Sequence, residues 1–259
     1  MTALAHGLLA FLHQLTSKHR TQRANRQLGA VLAFVAGAIN AGGFLAVQRY
    51  TSHMTGIVSA AADDFALGNF TLALGGMLLL TSFISGAATC ALLINWGRRR
   101  GMHGKYSLAL LMEAALLLVF GLVGANLDAF MQLMVPAAVL LLCFIMGLQN
   151  AIVTKMSQAE IRTTHMTGVI TDLGIELGRL LYWNRDKRLS KTHVVKANHD
   201  KIFIHSTVLA LFFLGGLVGA VAFKSVGFIA TVPVALLLVV MAAPALVVDL
   251  RSGLRPPQR

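Results

Sequence analysis

Thr51-Ser52-His53-Met54-Thr55-Gly56 returns as Thr163-Thr164-His165-Met166-Thr167-Gly168, 112 residues further along the chain. Each copy follows an apolar segment carrying Gly-x-x-Asn-Ala, Gly37 to Ala41 in the first case and Gly147 to Ala151 in the second. Each leads into a run of helix formers that contains acids. A polar hexapeptide beside membrane-type sequence is costly, and two copies imply one site built from two halves.

The chain has 259 residues, of which 56% are hydrophobic and only 12% charged. With a mean hydropathy of +0.72 it has too much apolar surface for a soluble domain of this length, so its solvent is a bilayer. The net charge of +12 therefore marks cytoplasmic loops and an anionic leaflet, not nucleic acid. Cys90 and Cys143 lie singly in apolar runs with no pairing or metal spacing, and read as buried thiols.

Leu4, Leu8, Leu9, Phe11, Leu12 and Leu15 recur at helical spacing, which suits a short helix on the membrane surface. Apolar spans follow at about 28–47, 70–95, 106–123, 130–151, 202–223 and 227–248. A further stretch, about 57–69, is too short and too acidic to cross alone, and 169–183 reads as a helix. Basic residues cluster before residue 27, at Arg98 to Lys105, between residues 184 and 201, and in the carboxyl tail. Six crossings put all four clusters on the cytoplasmic side of an inner membrane, with both termini inside. Glu113 in the third span lies near enough to its cytoplasmic end to snorkel.

One hexapeptide follows span one and the other follows span four. Three crossings separate them, so equivalent points must be inserted in opposite senses. The expected fold is all-α: six transmembrane helices as two inverted three-helix repeats, residues 27–125 and 126–248, with broken or re-entrant segments at the repeated motif. Residues 1–26 form a basic cytoplasmic segment and 249–259 a tail. Ser82-x-x-x-Gly86 is paired with Gly215-x-x-x-Gly219 as small-residue contact faces, which serve internal packing or a homodimer equally well.

Thr55 and Thr167 are expected to cap helices whose positive ends point into the membrane. Two such ends would cradle a small polar solute, preferably an anion. The expected substrate-binding residues are Asn40, Thr51, His53, Thr55 and Gly56, with Asn150, Thr163, His165, Thr167 and Gly168 in the second half. Histidine can donate, accept or change charge near neutral pH, so His53 and His165 are assigned to coupling or gating. Asp64 and Glu176, each eight residues past the motif glycine, join them there. Simpler readings stand beside these: the threonines as plain caps, the histidines and asparagines as interhelical glue, Met54 and Met166 as packing. No HExxH, Walker A, GxSxG or CxxC is present, so no enzyme, metal or cofactor is expected.

The interrupted Gly-x-x-Asn-Ala span followed by Ser52, Met54, Thr55 and Gly56 resembles the YoaK family of bacterial membrane proteins, a domain-of-unknown-function family. The resemblance covers about residues 28–248. It implies a small integral membrane protein and leaves the function open. Two functions are weighed: a secondary transporter or channel-like permease working by alternating access, and a non-transporting scaffold or assembly factor acting through the basic loop. The partners expected are the lipid bilayer and, for the first reading, the solute.

Overall fold

The computed structural model describes residues 22–47, 50–125, 131–157, 164–182 and 195–251. Among these there is no strand. Eight α-helices follow in order: α1 (Gln22–Val47), α2 (Met54–Ala66), α3 (Phe70–Arg99), α4 (Ser107–Ala125), α5 (Met131–Met156), α6 (Met166–Leu181), α7 (His199–Val226) and α8 (Thr231–Arg251). The surface segment expected before residue 21, Thr163, the centre of the 184–201 loop and the tail beyond residue 251 lie outside the described residues.

Among the described residues five stretches are long and apolar enough to cross a membrane: Arg26–Leu45, Phe70–Arg99, Ser107–Ala125, Met134–Met156 and His199–Arg251. The last has 53 residues and contains both α7 and α8, broken at Gly227, whose φ of +61° ends the first helix. Each apolar run expected from the sequence is helical, with ends displaced by a few residues. α3 continues through Arg98 and Arg99, since cations suit the last turn of a helix. Large apolar side chains such as Leu74, Leu92, Phe213, Leu217, Leu236 and Val221 face outward, as a lipid-facing surface requires.

In lipid, helices are held together by close packing more than by escape from water. Here that packing rests on two interlocked pairs. Gly37 on α1 abuts the Phe212 carbonyl on α7, and Gly215 on α7 abuts the Phe34 carbonyl on α1. The same exchange joins α3 and α5: Gly86 abuts the Phe144 carbonyl and Gly147 abuts the Phe83 carbonyl. A methyl group at any of the four glycines would overlap that backbone. Each helix therefore contributes a Phe-x-x-Gly: 34–37, 83–86, 144–147 and 212–215. In these contacts Gly86 and Gly215 take like places, each against a Phe carbonyl, one turn from the pairing of Gly86 with Gly219 expected from the spacing. Gly219 meets Ala38 instead.

The contacts also fix directions. Position 34 meets 215 and 38 meets 219, so α1 and α7 run parallel; 82 meets 140 and 86 meets 144, so α3 and α5 run parallel. Gln149 Nε2 donates to the Leu32 carbonyl at 3.5 Å while Gly43 meets Leu142, so α1 and α5 are antiparallel. Gly104 lies against Ala245 and Gly124 against Phe228, so α4 and α8 are antiparallel too. The bundle thus has one end formed by the starts of α1, α4 and α7 with the ends of α3, α5 and α8. That end carries Arg26, Arg98, Arg99, Arg100, Lys155, Lys201 and Arg251. There Asp249, 6% exposed, accepts the backbone N–H groups of His103 at 2.7 Å and Gly104 at 2.9 Å, tying α8 to the loop after α3.

Glu113 does not snorkel. It is fully buried in α4, and both of its oxygens lack a hydrogen-bond partner among the described residues. At 0% exposure the side chain is enclosed by the bundle and does not reach the surface.

Candidate functional site

The first hexapeptide interrupts the helix instead of extending it. Tyr50 stacks on Phe44 of α1 with ring centroids 4.4 Å apart, which brings the chain back alongside the helix it has just left. Ser52 Oγ then donates to Asn40 Oδ1 at 2.8 Å. Asn40 is seven residues before the end of α1, so the turn sits about 10 Å below that end. From there α2 climbs back along α3, with Ala61 against Gly76 and Phe65 edge-on to Phe70 at 5.4 Å. Gly68, at φ +78°, closes α2: Asn69 N–H donates to the Asp64 carbonyl at 2.8 Å and Gly68 N–H to the Phe65 carbonyl at 3.2 Å. This is the paired ending that glycine favours in the left-handed region.

The threonine caps expected from sequence are not formed. α2 starts at Met54, with His53 in the cap position at φ −87°, ψ 67° and no side-chain cap bond. α6 likewise starts at Met166 behind His165, at φ −81°, ψ 53°. The tight turn in which Met54 N–H reaches the Ser52 carbonyl at 3.1 Å decides the start, and it leaves Thr55 inside the first turn. The His53 ring folds over Gly56, within 3.1 to 3.3 Å of where a Cβ would be. Gly56 therefore makes room for its own histidine. Gly168 is looser, with His165 Nδ1 at 3.9 Å from the same point.

The turn opens a hollow of about 370 Å³, lined by Phe44, Tyr50, Thr51, His53, Asp64 and Cys143 among others. Its wall includes Leu79, nine residues into α3, so it reaches roughly 14 Å from that end. Thr51 is 2% exposed and faces this space. Thus four expected residues, Thr51, His53, Gly56 and Asp64, line one hollow. Asn40 does not line it and serves as the acceptor that holds the turn. None of the described residues of the second hexapeptide lines it.

The second half repeats the local lock. Thr164 Oγ1 donates to Asn150 Oδ1, while Asn150 Nδ2 donates to the Met146 carbonyl at 2.9 Å. Ser52 and Thr164, at equivalent places in the two hexapeptides, are partners that sequence reasoning did not single out. Thr167 carries a further small bond, its carbonyl accepting from Thr171 Oγ1 at 2.8 Å. Glu176 differs from Asp64 most. Its Oε1 accepts from Arg179 at 2.9 Å and its Oε2 from the Asn198 N–H at 2.8 Å. Asn198 is the cap of α7 and accepts in turn from Lys201 N–H. The Asn198 N–H, aided by the Arg179 and Lys201 charges and opposed by burial, holds the Glu176 carboxyl below the usual carboxylate range. Glu176 is thereby a clamp at the start of α7. The Asp64 carboxylate has no such partner among the described residues; only its backbone carbonyl is engaged.

A second hollow, about 710 Å³, lies between the starts of α1 and α7 and is lined by Arg26, Gln27, Asp200, Phe203 and Thr207. Arg26 and Asp200 form an ion pair of 3.8 Å in it. Since α3 and α5 start at the other end of the bundle, the two hollows open at opposite ends. A third, of about 270 Å³, is lined by Phe34, Leu117, Phe120 and Phe223 and offers almost no polar chemistry.

Residues 28–243 match the family described as "Protein of unknown function (DUF1275)". The chain belongs to this family. It is 24% identical over 172 residues to the protein named "UPF0700 transmembrane protein YoaK" of Bacillus subtilis (strain 168), an overlap covering 65% of this chain and 74% of that one. No solved structure matches the chain significantly. The resemblance read from Gly-x-x-Asn-Ala and Ser-x-Met-Thr-Gly is thus shown, and with the apolar helices it makes this a membrane protein.

Proposed function

We propose that the protein is a secondary transporter or permease for a small polar solute, built as six crossings in two inverted repeats and working by alternating access. The observation that carries this reading is the polar hollow at a helix break, Thr51, His53, Gly56 and Asp64 around a space that reaches about halfway into the bundle. Irregular backbone at that depth is tolerated where it lines a cavity. Further support comes from the doubled Phe-x-x-Gly interlock, the parallel pairing of α1 with α7 and of α3 with α5, and the hollows at opposite ends. The basic end is read as cytoplasmic, in an inner membrane, with both termini inside. Arg26 and Asp200 then form an ion pair of 3.8 Å on the wall of the cytoplasmic hollow. The role is binding and passage, not catalysis.

The test is uptake into liposomes carrying the purified protein, with a panel of labelled cations, anions and neutral metabolites. At least one solute should accumulate above protein-free vesicles, and the double variant His53→Ala/His165→Ala should slow it. Uptake unchanged in that variant removes the histidines from the mechanism; no uptake of any panel member removes the transporter reading.

A further inference from the structure

The charge around the outer hollow points away from the anion that two facing helix ends suggest. We infer that this hollow takes a small organic cation of the ammonium type. The inference rests on the reading of the hollow as a solute site and narrows what that site accepts.

Asp64 is the only charged side chain among the lining residues described, and no lysine or arginine is among them. Its carboxylate makes no hydrogen bond or ion pair with any described residue. The comparison within the chain is direct: the acid at the same place in the second copy, Glu176, is satisfied by Arg179 and by the Asn198 N–H. A carboxylate that the protein leaves unpaired in a partly enclosed space attracts a positive charge from outside. The stacked rings of Phe44 and Tyr50 form part of the same wall, and aromatic faces favour a cation with little hydration. Thr51, 2% exposed, and the His53 ring supply further polar contacts on the same wall.

The start of α2 acts in the opposite sense, and its weight can be judged. A helix end is worth roughly half an elementary charge, confined to the first turn. Part of it is already used, since Met54 N–H bonds the Ser52 carbonyl at 3.1 Å. Asp64 carries a whole charge and lies ten residues on, about 15 Å along α2, towards the mouth of the hollow. A solute arriving from that end meets the carboxylate first. The volume of about 370 Å³ has room for a small ammonium ion. The aromatic wall of Phe44 and Tyr50 suits an organic cation better than a strongly hydrated metal ion.

Calorimetric titration of the protein in lipid nanodiscs, using tetramethylammonium, acetate, sulfate and glycerol as probes, tests this. Tetramethylammonium should bind, Asp64→Asn should weaken it at least tenfold, and Tyr50→Leu several-fold. Asp64→Glu should restore most of the loss. Asp63→Asn, which removes the same charge from the exposed neighbouring position, should leave the affinity unchanged. Gel filtration of each variant shows whether it is folded, and Asp64→Glu keeps the comparison usable if Asp64→Asn is not. Binding of acetate, sulfate or glycerol without tetramethylammonium, or equal losses in Asp63→Asn and Asp64→Asn, overturns the cation assignment while leaving a permease standing. No binding by any probe, together with no uptake in liposomes, overturns both.

Discussion

The Ser52 hydroxyl donates to Asn40 Oδ1 at 2.8 Å, across twelve residues of chain, and so holds the helix break in place. A hydrogen bond of this kind contributes about 1 kcal/mol net. Ser52→Ala and Asn40→Leu should each lower stability, and a double-mutant cycle should return a coupling of about 0.5–1.5 kcal/mol. Thermal unfolding in detergent is the measurement. Simple additivity of the two losses would mean that the turn is held by something else.

The glycine interlock gives a sharper contrast. Gly37→Ala, Gly86→Ala, Gly147→Ala and Gly215→Ala each drive a methyl into a carbonyl of the neighbouring helix, where backbone cannot give way. Each should cost about 1–3 kcal/mol. Gly174 and Gly178 on α6 have nothing within 4 Å of an added Cβ, so alanine there should be neutral or stabilise by up to about 1 kcal/mol through helix propensity. Equal effects in the two sets, in the same unfolding assay, would contradict the close glycine–carbonyl contacts in both helix pairs.

Much of this was open to a sequence reader, unevenly. The apolar runs gave the long helices with their ends a few residues off, since lipid demands about twenty apolar residues per crossing. The identical His-Met-Thr-Gly cores exposed the duplication, but the bonds that matter use Ser52 in one copy and Thr164 in the other, and the difference hid them. The Phe-x-x-Gly pattern was legible four times over and passed unread, because its value lies in which carbonyl each glycine meets. Histidine at the cap ran against residue preference: a turn fixed by Tyr50 and Asn40 outweighed what Thr55 favours alone. The fate of Glu176 was half visible. Arg179 is three residues away on the same helix, whereas the Asn198 N–H comes from 22 residues beyond.

That clamp has a pH signature. The Glu176 carboxyl is held below its ordinary value of 4.5 in the folded chain, so its contribution is complete above that value. It is lost as the pH falls below 4.5 through the lowered folded value. Hydrogen exchange at the first amides of α7 should therefore quicken on acidification, beyond the intrinsic rate change. Glu176→Gln should exchange faster at neutral pH and lose the acid dependence. An α7 start that exchanges identically in both proteins at every pH would show the clamp to be idle.

Glu113 poses the opposite problem. It is fully buried on α4 with neither oxygen hydrogen-bonded among the described residues. Leaving a buried polar group without partners costs about 1–3 kcal/mol, and removing the group altogether recovers that cost. Glu113→Met, close in volume and flexible enough to fill the same space, should accordingly raise thermal stability in detergent by about that amount. Glu113→Gln, which keeps two polar atoms in the same apolar surroundings, should gain little. A clear fall in stability for Glu113→Met, with Glu113→Gln unchanged, would mean that the carboxyl has found a partner in the bundle, and the packing around α4 would have to be redrawn. If instead Glu113→Met is stabilised and uptake in liposomes is abolished, the carboxyl is retained for passage at the expense of stability, as polar groups within membranes commonly are.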